Sequence, residues 1–511
     1  MTKGSLLVAG TTSDAGKSVL TAGICRWLAR QGVRVAPFKA QNMSNNSVVA
    51  PDGAEIGRAQ AMQAAACGVP AEAAMNPVLL KPGGDLTSHL VVLGHPAGTA
   101  DAASYWSTGG GRQRLLGTVL DAYDGLRSRF DVVVCEGAGS PAEINLRRHD
   151  IVNMGLARAR DLPVIVVGDI DRGGVFAALY GTLALLEPED QALVSGLVIN
   201  KFRGYKDLLA PGLGEITKLT GRPVLGVVPY LARNWLDAED AVAVEGGYGD
   251  QRGEQGAAGS GLRVAVIRLP RISNFTDVDA LALEPGVAVR FVATPAGLED
   301  ADLVIVPGTR ATVADLAWLR GQGLDVPLRD RAAAGRPVLG ICGGYQMLGT
   351  VIDDEIESGH GRVPGLGLLP VATRFAADKT LSLPSGYAAA TAVGGYEIHH
   401  GAVQVHGGEP WFTTEPRGGT ALDGCRQGAV YGTLWHGIME GDEFRRVFLA
   451  EIAGLTGLDF TPAPGTCFEQ ARQEQFDALA DAIDEHLDTS ALLQMITHGP
   501  PPGLPVIRAG A

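Results

Sequence analysis

Cysteine is scarce in this chain. Six occur in 511 residues, at positions 25, 67, 135, 342, 425 and 467, and no two stand as a C-x-x-C pair. That scatter argues against a disulfide framework or a zinc ribbon, and it suits a reducing cytoplasm. Positive charge is also short: 42 Lys and Arg against 56 Asp and Glu give a formal net charge of −14. Broad nucleic-acid binding needs a basic face, so nucleic acid is set aside as a partner. An anionic substrate must then be met by local Lys and Arg rather than by the field of the whole molecule. Long apolar runs are missing too. No span approaches the ~18 residues of a membrane helix, and the first residues carry no apolar stretch with a cleavage pattern. A cytoplasmic protein with no membrane partner is expected. There is no internal repeat. A homo-oligomer is compatible with the sequence.

What is present is glycine between short apolar runs. The 70 glycines suit many tight strand-to-helix turns. In the first half, "SLLVAG", "VRVAPFK", "DVVVCEG", "LPVIVVGD", "SGLVINK" and "RPVLGVVPY" are continuously apolar and separated by helical periodicity. That predicts a parallel sheet covered on both faces, in an N-terminal domain over 1–244. Residues 245–261, "EGGYGDQRGEQGAAGSG", have no period and predict a Gly-rich linker. A second α/β pattern follows over 262–455, with "LRVAVIRLP", "ADLVIVPGT", "RPVLGICGG" and "GAVYGTLWHG" as strands. Over 456–511, Phe476, Leu479, Ala480, Ile483 and Leu487 recur at helical spacing before a tail. The expected fold class is α/β in two domains.

The stretch "GTTSDAGKS" holds a phosphate-binding pattern. Gly10 and Gly16 enclose five residues, one more than in G-x-x-x-x-G-K-[ST], and Lys17 and Ser18 follow at a predicted helix start. Backbone N–H groups there cradle phosphate. Lys17 is expected on the β/γ-phosphates of ATP, with the Ser18 hydroxyl on Mg²⁺ and Thr12 in the loop. The longer spacing resembles the P-loop of the dethiobiotin-synthetase type, whose members phosphorylate a carboxylate or carbamate. That resemblance implies a Mg²⁺-binding acid at Glu136 in "VVVCEGAGS". It implies an adenine-contacting Asn200 in "VINKF" and a second phosphate-side Lys at Lys39.

A second signature lies far downstream. In "VLGICGGYQMLG" a strand runs into Cys342 and then a helix, with small neighbours that permit a sharp, nucleophile-exposing turn. The helix N-terminus favours the thiolate. The N–H groups of Gly343 and of Gly308 in "VPGT" are candidate oxyanion donors. His436 in "YGTLWHG" follows another strand and is the candidate base. This set resembles the class I glutamine amidotransferases, which implies L-glutamine as nitrogen donor. Their usual Glu, two residues after the His, is here Ile438; the next acid is Glu440. The pattern therefore resembles the cobalamin-amidase branch, where Cys and His act without that Glu, and the group orienting His436 stays open.

The two signatures in this order, with "PFKAQNMSNNS", "EGAGSPAEINL", "GDIDRGGVFA", "INKFRG" and "LPRISNFTD", resemble the cobyric acid synthases over nearly the whole chain. The resemblance implies a corrinoid substrate, adenosylcobyrinic acid a,c-diamide, amidated at its b, d, e and g carboxylates with ATP, Mg²⁺ and glutamine. On that basis Gln41, Asn42, Asn45 and Asn46 are expected as amide donors beside Lys39. Arg172 is expected to hold a carboxylate or the γ-phosphate, and Asp171 to assist Mg²⁺. A P-loop ATPase of the partitioning type, or a bare glutaminase, would leave one of the two signatures without use.

Overall fold

The computed structural model describes residues 2–83, 87–101, 109–231, 261–414 and 421–507. The expected linker, 245–261, lies outside them apart from Gly261. The described chain divides into two compact units. The first comprises 2–43, 50–231 and 472–507, the second 44–49, 261–414 and 421–471.

The strands of the two central sheets are numbered in chain order. In the first unit they are β1 (Gly4–Gly10), β2 (Val35–Phe38), β3 (Val132–Glu136), β4 (Val164–Asp169), β5 (Val194–Phe202) and β6 (Val224–Pro229). Their order across the sheet is β6-β5-β4-β1-β3-β2, with every pair parallel. These are the six apolar runs of the sequence. Both faces of the sheet are covered, so nearly every strand residue is buried, which is why the runs are continuous rather than alternating. β1 sits between β3 and β4, so the loops after these strands open on one carboxyl edge, where an open α/β sheet binds ligands. Helix α1 (Lys17–Arg30) leaves that edge directly after β1 and buries Leu20, Ile24, Cys25 and Leu28.

The C-terminal periodicity forms helix α4 (Phe468–His486), followed by α5 (Thr489–His498); α2 is Arg58–Cys67 and α3 Gly343–Leu348. The segment 456–511 was expected as a piece of its own, but from Arg472 onward it groups with the first unit. Ile483, Leu487, Leu492, Met495 and Ile496 share a core with Leu6, Val8, Ile24 and Leu28. Gly4 lies so close to α5 that an added Cβ would stand 1.6 Å from the Ile496 carbonyl oxygen. Part of the tail is fastened as well: Gln191 Nε2 donates to Ile507 O and Ile507 N–H donates to Gln191 Oε1, each at 2.9 Å. Burying an aliphatic side chain contributes about 1.5–3 kcal/mol, so these five together approach a whole domain's net stability of about 5–15 kcal/mol. Truncation before Arg472 is therefore expected to unfold the first unit. Far-UV circular dichroism and thermal melts check this; an unchanged melting temperature would contradict the packing role.

In the second unit the sheet contains β7 (Leu262–Ile267), β8 (Val287–Val292), β9 (Leu303–Val306), β10 (Val338–Ile341), β11 (Cys425–Gln427) and β12 (Val430–Thr433). The order is β8-β7-β9-β10-β12-β11, parallel except for the β11/β12 hairpin. β9, β10 and β12 are neighbours, so the residues following each share one carboxyl edge. A smaller sheet includes Val371–Ser382 paired antiparallel with Glu397–Val405. Its burial alternates rather than running continuously, and the sequence did not signal it.

Two candidate active sites

In the first unit the turn from β1 to α1 is closed by Gly16, which is left-handed at φ 90°. A side chain there would collide with Asn200, whose Nδ2 would stand 2.1 Å from an added Cβ. Lys17 is 4% exposed and folds inward, its Nζ donating to the carbonyls of Thr12 (2.8 Å) and Ser13 (2.9 Å). The Ser18 hydroxyl donates to Glu136 Oε1 at 2.8 Å. Lys39 at the end of β2 reaches the same Oε1, also at 2.8 Å, and both partners are buried. Ser18, Lys39 and Glu136, separate in sequence, thus converge on one carboxylate.

A fourth member was not singled out from the sequence. Gln63 of α2 donates to Glu136 Oε2 at 2.6 Å and to Ser18 O at 3.3 Å. "RAQAMQAAAC" has little amphipathic contrast, so nothing in it set Gln63 apart from a helix-surface glutamine. The loop after Glu136 is shaped around Asn153, which accepts from Ala138 N–H (3.2 Å) and donates to Ala138 O (2.7 Å).

Of the remaining residues expected in this site, Asn200 and Arg172 meet the phosphate loop. Asn200 Nδ2 donates to Ala15 O at 2.9 Å, so it braces the phosphate loop. Arg172 pairs with Asp14 of that loop at 2.5 Å while remaining 59% exposed. Asp171 pairs with Arg203 at 3.1 Å, and both are about half exposed. Lys201, another residue not singled out from the sequence, donates to Asp169 at 2.9 Å and to the Asp14 carbonyl. Asn42 is buried and donates to Gln60 Oε1 at 2.9 Å, beside Gln41 on the short strand Gln41–Met43. Asn45 and Asn46 instead group with the second unit, where Asn46 meets Asn274.

For a metal, the paired donors are the Ser18 hydroxyl and the Glu136 carboxylate. Two hard oxygens at a phosphate loop fit Mg²⁺, which keeps waters and substrate phosphates as its other ligands. Among the described residues no group of three His, Cys, Asp or Glu is arranged to hold a metal.

In the second unit Cys342 stands between β10 and α3 at φ 50° and ψ −109°. A non-glycine residue with positive φ costs about 1–3 kcal/mol and persists where its surroundings impose it. Here Cys342 N–H is held by Thr433 O at 2.7 Å, and Gly344 packs so tightly that an added Cβ would stand 1.8 Å from Val306 O. Gly308 closes in from β9: an added Cβ would come within 2.9 Å of His436 Cε1. Its carbonyl accepts from Ser273 N–H at 2.9 Å, which fixes that turn. His436 follows β12, is 1% exposed, and stacks on Tyr396 with ring centroids 5.3 Å apart.

The group orienting His436 is Asp277. Its Oδ2 lies 2.7 Å from His436 Nδ1, and its Oδ1 accepts from Gly437 N–H at 2.8 Å. Glu440, the acid nearest in sequence, lies on the short 3₁₀ turn Ile438–Glu440. Asp277 comes instead from "LPRISNFTD", more than a hundred residues upstream, so proximity in sequence could not find it. Burial disfavours a charged imidazole, but the charges of Asp277 and Cys342 outweigh it and raise His436 to about 10. The resting pair is then imidazolium beside the Cys342 sulfur. Asp277→Asn removes the leading stabilising charge, leaves burial to pull the His436 pKa down, and frees the wrong tautomer. Glutamine hydrolysis is expected to fall on the order of 10³-fold, with its alkaline limb moved to lower pH. A pH–rate profile checks both; an unmoved limb would dissociate Asp277 from the imidazole.

A strained thiol, a buried imidazole with its own carboxylate and a glycine turn on one sheet edge, joined in one chain to a P-loop domain, define a glutamine-dependent amidotransferase of the ligase class. Residues 263–444 match the CobB/CobQ-like glutamine amidotransferase domain, and residues 6–240 match the CobQ/CobB/MinD/ParA nucleotide binding domain. The cobyric acid synthases of Streptomyces avermitilis and Streptomyces coelicolor are each 59% identical to this chain over 510 residues, covering 99% of both partners. That of Frankia casuarinae is 59% identical over 528 residues, again covering 99% of each. The chain belongs to the cobyric acid synthase family, amidating ligases of cobalamin biosynthesis.

Proposed function

We propose that the first unit uses ATP to phosphorylate the b, d, e and g carboxylates of adenosylcobyrinic acid a,c-diamide, and that the second supplies ammonia from L-glutamine. The observation that carries this reading is the convergence of Ser18, Lys39 and Gln63 on Glu136 beside Lys17, on the same chain as the Cys342–His436–Asp277 set. Gly16, Lys17 and the start of α1 bind the phosphates, with Thr12 in the loop. Lys39 is the second phosphate-side cation, and Asn200 holds the loop in shape. Ser18 and Glu136 hold Mg²⁺, which neutralises phosphate charge when bound. Gln41, Asn42 and Arg172 serve the corrinoid side.

A substrate carboxylate oxygen attacks the γ-phosphorus of ATP, and ADP leaves. In the second unit Cys342 Sγ attacks the glutamine amide carbon, with the oxyanion held by the N–H groups of Gly308 and Gly343. His436 gives its proton to the departing nitrogen, and water then releases glutamate from the thioester. Ammonia attacks the acyl phosphate; the new C–N bond forms as the C–O bond to phosphate breaks. Hydroxylamine in place of ammonia is expected to yield a corrinoid hydroxamate and ADP. ADP-free turnover would remove the acyl phosphate. Among the described residues no helix is long and apolar enough to cross a membrane. The scattered free cysteines support a reducing, cytoplasmic site of action.

A further inference from the structure

Residues 44–49 group with the second unit although the residues on both sides of them, up to 43 and from 50, group with the first. They continue directly from Lys39, Gln41 and Asn42. Within the second unit they are clasped to one loop. Asn274 N–H donates to Asn46 Oδ1 at 2.7 Å, and Ser47 N–H donates to Asn274 Oδ1 at 3.0 Å. Asn46, Ser47 and Asn274 are all buried. Asn274 is left-handed at φ 52°, a conformation Asn tolerates better than most residues, and it opens the short turn Phe275–Val278.

That loop holds the glutaminase from two sides. Just before Asn274, Ser273 N–H fixes the Gly308 carbonyl. Three residues after it, Asp277 fixes His436 and Gly437. Asn274 O accepts from Asp277 N–H at 3.0 Å, so a shift at Asn274 is passed directly to the carboxylate.

We infer that the Asn46–Asn274 clasp is a positioning element of the glutaminase, tying the loop that aligns Asp277 and Gly308 to the chain that carries Lys39. Resting on the function proposed above, this gives the state of the phosphate-side strand a covalent route to the glutamine site. Asn46 and Asn274 touch no reacting atom; they act through Asp277, His436 and Gly308. Geometry errors of about 1 Å at such a site cost on the order of 10²-fold in rate.

The test uses the full chain with Asn274→Gly, which keeps the left-handed backbone without strain and removes the acceptor for Ser47 N–H. Glutamine hydrolysis is measured with and without ATP, Mg²⁺ and corrinoid, alongside synthesis from glutamine and from ammonium chloride. Ammonium-dependent synthesis should stay within about twofold. Glutamine-dependent kcat/KM should fall on the order of tenfold or more, and stimulation of hydrolysis by ATP and corrinoid should vanish. Asn274→Asp, which retains the acceptor, should restore both. Wild-type stimulation in Asn274→Gly overturns the inference, as does loss of ammonium-dependent synthesis, which would mean a fold-wide defect. A wild-type enzyme that amidates no corrinoid from ammonium, yet hydrolyses glutamine faster with ATP in a manner Asn274→Gly abolishes, overturns the proposed function and leaves the clasp standing.

Discussion

Cys342→Ala should abolish amidation from glutamine while amidation from ammonium chloride stays within about twofold of wild type. The nucleophile sits on a backbone at φ 50° that Cys342 N–H, Thr433 O and the packing of Gly344 hold in place. Alanine can occupy the same elbow, so the sheet edge survives and only the sulfur is lost. Without the covalent step, residual glutamine hydrolysis should fall by at least ~10⁴-fold, as when the nucleophile of other acyl-transfer sites is removed. Ammonium bypasses the second unit and reports on the first alone. If ammonium fails as well, the division of labour between the two sites is wrong.

Lys17→Ala is the complementary case. Synthesis should be lost with either nitrogen source, on the order of 10³-fold, because a phosphate-loop ammonium acts where charge moves during transfer. Lys17 is 4% exposed and already surrounded by loop carbonyls. Water entering the vacated space cannot supply a fixed charge. Lys39 already has its own place beside Glu136 and does not restore the charge lost at position 17. Slow glutamine hydrolysis by Cys342 should persist in this variant. The assay is ADP release coupled to amide formation; full activity would remove the P-loop from the mechanism.

Much of both sites was legible because each depends on a short string in a fixed local conformation. "GTTSDAGKS" and "GICGG" encode a strand, a turn that needs glycine and a helix start, and those turns carry Lys17 and Cys342 just beyond the carboxyl ends of β1 and β10. The six buried strands of the first sheet were legible for a related reason: burial on both faces leaves few polar positions to confuse the reading. What the sequence hid depends on approach through space. Asp277 reaches His436 from a loop far upstream, and Gln63 reaches Glu136 from a helix with no distinctive periodicity. The C-terminal helix showed its apolar face, but not that this face covers the first sheet. Asn46 reads as a neighbour of Lys39, whereas its Oδ1 accepts from Asn274 N–H and it groups with the other unit.

The most direct measurement is a mass-spectrometric count of nitrogen gained by the corrinoid. Wild-type enzyme is given adenosylcobyrinic acid a,c-diamide, ATP, Mg²⁺ and glutamine labelled with ¹⁵N at its side-chain amide. Successive products carrying one to four labelled amides, each matched by one ADP, are the predicted result. Glutamate and ADP released with no labelled amide on the corrinoid would contradict the pairing of these two sites on this substrate.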